Sequence, residues 1–290
     1  MATINGTNAS ETIVGTDGDD IITGSGGNDT IYAYQGDGTS GVGGTAPTTD
    51  PDGGDPGATD EIRGGSGDDT LYAGEGTVAF QYSGTSNGYD TFVQGSGTST
   101  AVTTSNNTSI GVKGDYANDV DGFDGDGHTN VTIQGDNSAS TLDFSATTLT
   151  DIQEVDANDG NDTIIASDLT AGAYRGGSGD DTLQASSQTV DWLYSGTSNG
   201  YDTFIPGSGT ATARATSNNT AIGIKGDYNN ELDGFNGDGH TNVTVQGENS
   251  ASTLDFSATT LTDIQEVDAN GGDDTIIASD LSAGAYRGGS

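Results

Sequence analysis

The chain has 290 residues, of which 44 are Asp or Glu, 6 are Lys or Arg and none is Cys, and its formal charge is −38 at pH 7. This charge argues against nucleic acid and anionic membranes as partners, because both require basic patches, and the lack of cysteine excludes disulfides and thiolate metal sites. Apolar residues make up only 30% of the chain, and short β-forming clusters between Gly, Asn and Asp predict an all-β fold with a thin core.

The N-terminal part contains two nine-residue segments in direct tandem, GTDGDDIIT at 15–23 and GSGGNDTIY at 24–32. Each has a glycine-rich half, an aspartate at position six (Asp20 and Asp29) and a large apolar residue at position eight. A weaker copy, GTNASETIV at 6–14, precedes them with Glu11 in the acidic position. Glycine permits the positive φ angles of tight turns. We therefore predict a series of turns over residues 1–32, each followed by a short strand.

The rest of the chain is organised as an array. Residues 33–62 are rich in Gly, Pro and Asp, which predicts an insertion or linker. Residues 63–174 and 175–286 then align without a gap at a period of 112 residues, so we predict two copies of one solenoid unit. Residues 287–290 repeat the opening of that unit, and we expect them to begin a truncated third repeat.

Each copy contains further nine-residue motifs. GGSGDDTLY at 64–72 and GGSGDDTLQ at 176–184 are complete, and degenerate versions begin at 85, 157, 197 and 269. These motifs resemble the RTX family of calcium-binding repeats, whose consensus is G-G-x-G-x-D-x-U-x, where U is a large apolar residue. A single GDD or GND is an ordinary turn sequence, but here eight matches recur. The resemblance implies a right-handed parallel β-solenoid, of the β-roll or β-helix kind, with calcium-binding turns.

Carboxylate and carbonyl oxygens in a flexible turn suit Ca²⁺ better than Zn²⁺ or Cu²⁺. We predict several ions, with candidate ligands at Asp20, Asp29, Gly64, Gly67, Asp69, Gly88, Asp90, Gly160, Asp162, Gly176, Gly179, Asp181, Gly200, Asp202, Gly272 and Asp274. Motif starts 19 or 21 residues apart indicate loops that stack on successive turns. Calcium is therefore expected between Asp162 and Asp181, between Asp181 and Asp202, and between Asp69 and Asp90. We expect the last loop, 269–277, to be less completely ligated than its equivalent at 157–165.

A second acidic pattern lies in the region between the motifs. DVDGFDGDGH at 119–128 and ELDGFNGDGH at 231–240 resemble part of an EF-hand loop, without its bidentate Glu. This pattern predicts a further metal site, and the alternative is a solvated acidic loop. The candidate ligands are Asp119, Asp121, Asp124, Asp126, Asp233 and Asp238. His128 and His240 have no Cys or second His nearby, so we interpret them as surface or hydrogen-bonding residues.

No asymmetric catalytic constellation is present, and every candidate residue of one long copy recurs in the other, so we predict that the chain is not an enzyme. We favour a calcium-dependent structural protein: a surface-layer, adhesin-shaft or filament module that folds, and self-associates or stacks on neighbouring repeats, when calcium binds. One alternative is a carbohydrate-binding module that uses Tyr82, Tyr89, Tyr194 and Tyr201, for which inward stacking is the competing interpretation. Another is a non-catalytic repeat region of a larger secreted enzyme.

The chain is expected to act outside the cell or at its surface. No apolar run approaches the length of a membrane span, and MATINGTNAS lacks the basic and apolar regions of a secretory signal peptide. The RTX resemblance implies export by a type I system without a cleaved N-terminal signal. Partners are thus expected to be calcium, further copies of the repeat and, under the alternative hypothesis, a glycan.

Overall fold

The computed structural model describes residues 1–16, 18–33, 57–282 and 284–289, together with the main chain of residues 41 and 42. Most of the predicted insertion at 33–62 lies outside these residues. The described residues form no helix and the following strands: β1 (Ala2–Asn5), β2 (Thr12–Val14), β3 (Asp20–Gly26), β4 (Thr30–Tyr32), β5 (Gly41–Val42), β6 (Thr59–Ser66), β7 (Thr70–Tyr72), β8 (Thr77–Tyr82), β9 (Thr91–Val93), β10 (Thr98–Thr103), β11 (Ser109–Val112), β12 (Tyr116–Ala117), β13 (Gly122–Asp124), β14 (Thr132–Gly135), β15 (Thr141–Asp143), β16 (Thr148–Thr150), β17 (Glu154–Asp156), β18 (Thr163–Ile165), β19 (Gly172–Arg175), β20 (Thr182–Gln184), β21 (Val190–Tyr194), β22 (Thr203–Ile205), β23 (Ala211–Ala215), β24 (Ala221–Ile224), β25 (Tyr228–Asn229), β26 (Gly234–Asn236), β27 (Thr244–Gly247), β28 (Thr253–Asp255), β29 (Thr260–Thr262), β30 (Glu266–Asp268), β31 (Thr275–Ile277) and β32 (Tyr286–Arg287).

The chain divides into two compact units. The first comprises Met1–Asp136 and Ala146–Gln153, and the second comprises Asn137–Ser145 and Glu154–Ser290. This division falls inside the first 112-residue copy. Strands β7 to β19 nevertheless recur in order as β20 to β32, so the sequence repeat is also a repeat of secondary structure.

The first unit is a parallel β-solenoid. One sheet has the order β1-β3-β6-β8-β10-β13-β16, and a second has the order β5-β2-β4-β7-β9. Strand β11 also pairs in parallel with β14. Parallel pairing follows from the coil, since each turn brings the chain back to the same sheet edge in the same direction. Only β5 departs from this pattern among the described pairings, because it pairs antiparallel with β2.

The second unit has the same construction. Within it the strands follow the orders β17-β19-β21-β23-β26-β29, β15-β18-β20-β22, β24-β27-β30-β32 and β25-β28-β31. The strand pairings described within this unit are all parallel, for example β18 with β20 and β20 with β22. The predicted all-β, parallel β-solenoid fold is therefore confirmed.

Apolar residues of successive turns form the core of each unit. Ile164, Leu183 and Phe204 are in register on three neighbouring strands, and they are 0%, 1% and 6% exposed. Each is the position-eight residue of its motif. The alternation of a β-strand turns this residue inward and its two neighbours outward, and burial of each such side chain contributes about 1.5–3 kcal/mol. A motif with one apolar residue therefore builds a continuous but narrow core.

The stretch between the motifs also forms strands with an inward apolar face. Leu142, Phe144, Leu149 and Val155 are buried. Ile152 is only half-buried, because it lies between strands β16 and β17.

Candidate metal sites

The motif at 176–184 shows how the glycine-rich half positions its aspartate. Gly177 and Gly179 have φ angles of +98° and +136°, a region that side chains other than glycine rarely adopt. A Cβ atom placed on Gly179 would lie 1.6 Å from the carbonyl oxygen of Gly160 on the preceding turn. Only glycine permits this contact, which holds successive loops close together and places Asp181 directly before strand β20.

The other predicted glycines have the same positions in their loops. Positive φ angles occur at Gly67, Gly88, Gly160, Gly200 and Gly272, whereas Gly64 and Gly176 are not in this region. Gly64 and Gly176 serve a different purpose, since Cβ atoms there would lie 2.2 Å from Asp69 Oδ2 and 2.1 Å from Asp181 Oδ2. The first glycine of a complete motif therefore leaves the space that its aspartate oxygen occupies.

The aspartates at position six form ladders along the solenoid. In the second unit the backbone N–H of Asp162 donates to Asp181 Oδ1 at 2.8 Å, and the N–H of Asp181 donates to Asp202 Oδ1 at 3.0 Å. In the first unit Asp69 donates in the same way to Asp90 Oδ1 at 2.9 Å. The structure thus brings together each aspartate pair for which the 19- and 21-residue spacing predicted stacking.

The N-terminal motifs belong to two separate ladders. Asp29 N–H donates to Asp69 Oδ1 at 2.6 Å, and Asp20 N–H donates to Asp60 Oδ1 at 2.8 Å. Asp60 was not among the predicted ligands, although the sequence contains a signal for it. Asp60 precedes Asp69 by nine residues, as Asp20 precedes Asp29, and buried Ile62 follows it at position eight of a degenerate motif.

The second oxygen of several ladder aspartates is buried without a hydrogen-bond donor. Within the described part of the chain this holds for Oδ2 of Asp29, Asp69, Asp181 and Asp274. A buried carboxylate oxygen without a donor is costly, so these atoms indicate a ligand of positive charge. Oxygen donors in glycine-rich turns fit a hard cation such as Ca²⁺.

Such a cation would be held by few side chains. No group of three or more His, Cys, Asp or Glu side chains with the arrangement of a metal site occurs among the described residues. One or two ladder carboxylates would therefore have to act together with backbone carbonyls of the loops. The sixfold to eightfold oxygen coordination of Ca²⁺ commonly includes such carbonyls.

Burial changes the acidity of the ladder. It raises the pKa of Asp69 to about 6, of Asp60 and Asp181 to about 7, and of Asp90 to about 8. The pKa of Asp202 is likewise raised well above its usual range, and burial is the largest cause in each case. Neighbouring ladder carboxylates raise these pKa values further by mutual repulsion.

These pKa values predict opposite pH dependences with and without calcium. In calcium-free buffer we expect the folded fraction of the chain to rise as the pH is lowered from about 8 to about 5. Four of the ladder aspartates bind protons more tightly in the folded state than in the unfolded state, where their pKa is 3.8; these are Asp60, Asp69, Asp90 and Asp181. Their contribution to stability is therefore complete below about pH 4, and is lost as the pH rises through the folded pKa values of about 6 to 8. Calcium requires ionised carboxylates, so saturating calcium should stabilise the protein most at the higher pH.

Circular dichroism at several pH values measures the folded fraction in calcium-stripped buffer, and thermal melts measure the stability in calcium-saturated buffer. The same direction of change with pH in the two buffers would contradict this prediction.

The degenerate loops at 157–165 and 269–277 are equivalent in the two copies, and they differ in one hydrogen bond. Ser140 N–H donates to Asp162 Oδ1 at 2.8 Å, and Ser252 N–H donates to Asp274 Oδ1 at 2.9 Å. Asp162 N–H donates onward to Asp181, whereas no acceptor for Asp274 N–H occurs among the described residues. The expected difference in calcium ligation between these loops remains a prediction.

The EF-hand-like acidic residues do not converge in the described structure. Asp121 and Asp233 accept hydrogen bonds from Ser99 N–H and Ala211 N–H on the preceding turn, at 2.7 and 2.8 Å. The remaining candidates are used locally: Asp124 accepts from Asp126 N–H, Asp119 accepts from Ala117 N–H, and Asp238 pairs with Arg214. They form no group of three carboxylates among the described residues, because turn formation and stacking engage them separately.

Two of the tyrosines proposed to bind glycans are buried. Tyr82 and Tyr194 are each 3% exposed, and their hydroxyls donate to Asp90 Oδ2 at 2.7 Å and to Asp202 Oδ2 at 2.6 Å. Inward packing, the competing interpretation, is correct for these two. Tyr89 and Tyr201 are half-buried.

The structure is a parallel β-solenoid in which buried aspartates of successive glycine-rich turns lie above one another. This combination is typical of cation-binding repeat proteins. The family model described as the RTX calcium-binding nonapeptide repeat (4 copies) matches this chain in three segments, at residues 5–39, 57–77 and 174–188. These segments therefore contain RTX calcium-binding nonapeptide repeats, as their motifs predicted. RTX repeats bind calcium and are typical of secreted proteins.

No curated protein and no solved structure matches the chain. The described residues contain no helix that is long and apolar enough to cross a membrane.

Proposed function

We propose that this chain is a calcium-dependent extracellular structural module, of the surface-layer, adhesin-shaft or filament kind, and that it has no catalytic role. Calcium binding would complete its folding after export, and the folded repeats would self-associate. The observation that carries this proposal is the row of buried aspartate oxygens without hydrogen-bond donors, at Asp29, Asp69, Asp181 and Asp274. Carboxylates in that state favour the folded chain only when a cation is bound.

The charge distribution supports the same proposal. A chain with a formal charge of −38 repels itself when it becomes compact. The described residues contain few compensating ion pairs, and most of these are partly exposed, such as Lys113 with Asp68 and Lys225 with Asp180. Exposed pairs contribute little, about 0–1 kcal/mol each. Bound calcium would supply the missing positive charge inside the turns.

Repetition supports a structural role over a catalytic one. The hydrogen bond from Tyr82 to Asp90 recurs 112 residues later from Tyr194 to Asp202, and the ion pair of Lys113 recurs at Lys225. An active site needs one asymmetric arrangement, whereas a stacked array needs the same arrangement many times. Open solenoid ends also present unpaired strand edges, to which further repeats can add.

Electron microscopy and light scattering test the proposal. We expect the purified chain to form extended particles, filaments or layers in calcium, and not in the same buffer with a chelator or with magnesium instead of calcium. Extended monomers would indicate a shaft, filaments would indicate end-to-end stacking, and sheets would indicate a surface layer. Compact particles in calcium that do not associate at any protein concentration would contradict the proposed role.

A further inference from the structure

Two ladder aspartates differ from the others at one oxygen atom. Asp90 and Asp202 use Oδ1 as the other ladder aspartates do, to accept the backbone N–H of the preceding turn. Their Oδ2 atoms, however, accept the hydroxyls of Tyr82 and Tyr194 at 2.7 and 2.6 Å. The corresponding Oδ2 atom of Asp181 has no donor within the described structure. The same carboxylate position is therefore satisfied by a side chain in one loop and left for a ligand in the next.

The local sequence around the tyrosine-bonded aspartates differs in a second way. In the complete motif the first residue is glycine, and a Cβ on Gly176 would lie only 2.1 Å from Asp181 Oδ2. The loops at 85–93 and 197–205 begin instead with exposed Thr85 and Thr197. These loops therefore differ from the complete motif at position one, and they have a tyrosine at the end of strand β8 or β21 whose hydroxyl donates to the buried carboxylate.

We propose that Tyr82 and Tyr194 take the place of a calcium ion at Asp90 and Asp202, and so end a calcium ladder once in every 112-residue copy. This inference rests on the proposed calcium binding of the other aspartates. The hydroxyl lies 2.6–2.7 Å from Oδ2 and so competes for this atom with a Ca²⁺ ion, which binds carboxylate oxygens at 2.3–2.6 Å. The tyrosine hydroxyl satisfies the buried oxygen without adding a charge.

A lysine lies beside each tyrosine-bonded loop. Lys113 N–H donates to the carbonyl of Asp90, and Lys225 N–H donates to that of Asp202. Their ammonium groups reach back to Asp68 and Asp180, at 3.0 and 3.2 Å, each of which is the residue before a ladder aspartate. The turn that follows the tyrosine therefore carries its own cation. Side-chain donors, and not bound ions, therefore satisfy the carboxylate oxygens at this end of the ladder.

The other end of the ladder in the second unit also has a side-chain donor. Ser140 N–H and Oγ both donate to Asp162 Oδ1, at 2.8 and 3.0 Å. The ladder thus runs from Ser140 through Asp162 and Asp181 to Asp202, where Tyr194 closes it. The chain itself therefore determines the length of each calcium-binding block.

The decisive experiment counts bound calcium ions by equilibrium dialysis and titration calorimetry. We expect Tyr194→Phe to bind one more ion per chain than the unsubstituted protein, because the ring still packs while Oδ2 of Asp202 loses its donor. The double variant Y82F/Y194F should bind two more. Tyr89→Phe is the matched control, since Tyr89 directly precedes Asp90 but its hydroxyl does not donate to the Asp90 carboxylate. This variant should leave the count unchanged.

Two further variants keep the test decisive if the phenylalanine variants fold poorly. Asp181→Asn should lower the ion count, whereas Asp202→Asn should leave it unchanged, because an asparagine can still accept the Asp181 N–H. An unchanged count in Tyr194→Phe, or a lowered count in Asp202→Asn, would overturn this inference while leaving calcium binding intact. Failure of the unsubstituted protein to bind calcium would instead overturn the proposed function.

Discussion

Removal of calcium is expected to unfold most of the described structure. In a chelator the far-ultraviolet circular dichroism of the β-solenoid should disappear at room temperature and near-neutral pH, and it should return when excess calcium is added. The reason is that buried carboxylates such as Asp69 and Asp181 have oxygens without donors, and ionised groups in that state oppose folding.

The expected size of this effect follows from linkage. A ligand that binds only the folded state adds about 2.7 kcal/mol of stability per site at a hundredfold excess over its Kd. Several such sites together contribute about as much as the whole 5–15 kcal/mol stability of a typical domain. Loss of calcium should therefore shift the equilibrium to the unfolded chain, and not merely lower the melting temperature.

The control separates specific binding from charge screening. Sodium chloride at the same ionic strength should not restore the signal, because screening reduces repulsion between exposed charges but leaves a buried carboxylate without a partner. Equal β-sheet signal and equal melting temperature with chelator and with calcium would contradict the proposed coupling. Recovery of the signal with salt alone would show that repulsion across the surface, and not binding in the turns, is the dominant effect.

Substitution of Gly179 by alanine is expected to separate two successive calcium-binding loops. Its φ of +136° would be strained in alanine by about 1–3 kcal/mol. The new Cβ would also lie 1.6 Å from the Gly160 carbonyl oxygen, so the two loops must separate. Separation breaks the hydrogen bond from Asp162 to Asp181, at a further cost of about 1 kcal/mol. The calcium concentration at half-folding should rise, and the melting temperature in saturating calcium should fall.

Gly226→Ala is the matched control for this substitution. Gly226 also has a positive φ, +67°, but no atom lies within 4 Å of a Cβ placed on it. The Gly226→Ala variant should be destabilised only by the cost of placing alanine in the left-handed conformation, about 1 kcal/mol. Equal changes in the calcium midpoint for the two variants would show that loop contact is unimportant for binding.

Much of this protein could be predicted from its sequence because the repeat is local. A glycine-rich half, an aspartate and an alternating strand fix one turn within nine residues, and the spacing of motifs indicates which turns stack. That is why the hydrogen bonds of Asp162 with Asp181 and of Asp181 with Asp202 agree with the predicted order. Asp60 was not predicted because its motif is degenerate, and the signals that identify it are its nine-residue distance from Asp69 and the apolar Ile62 at position eight.

The tertiary structure decided which hydrogen-bond donors contact each carboxylate. The EF-hand-like pattern at 119–128 predicted a metal site, with a solvated acidic loop as the alternative, and in the structure Asp121 and Asp124 accept hydrogen bonds from different backbone amides. The motifs likewise predicted that Asp90 and Asp181 are equivalent calcium ligands. They differ because the hydroxyl of Tyr82, eight residues away along the chain, reaches Asp90 through the core.

The sequence by itself therefore determined the repeat, the solenoid class and the row of stacked aspartates, since these depend on backbone conformation over a few residues and on regular spacing. The distribution of hydrogen-bond donors among those aspartates was decided by the folded structure alone. It depends on which side chains of neighbouring strands point inward and how far they extend, and nine-residue motifs carry no information about contacts between side chains on different strands.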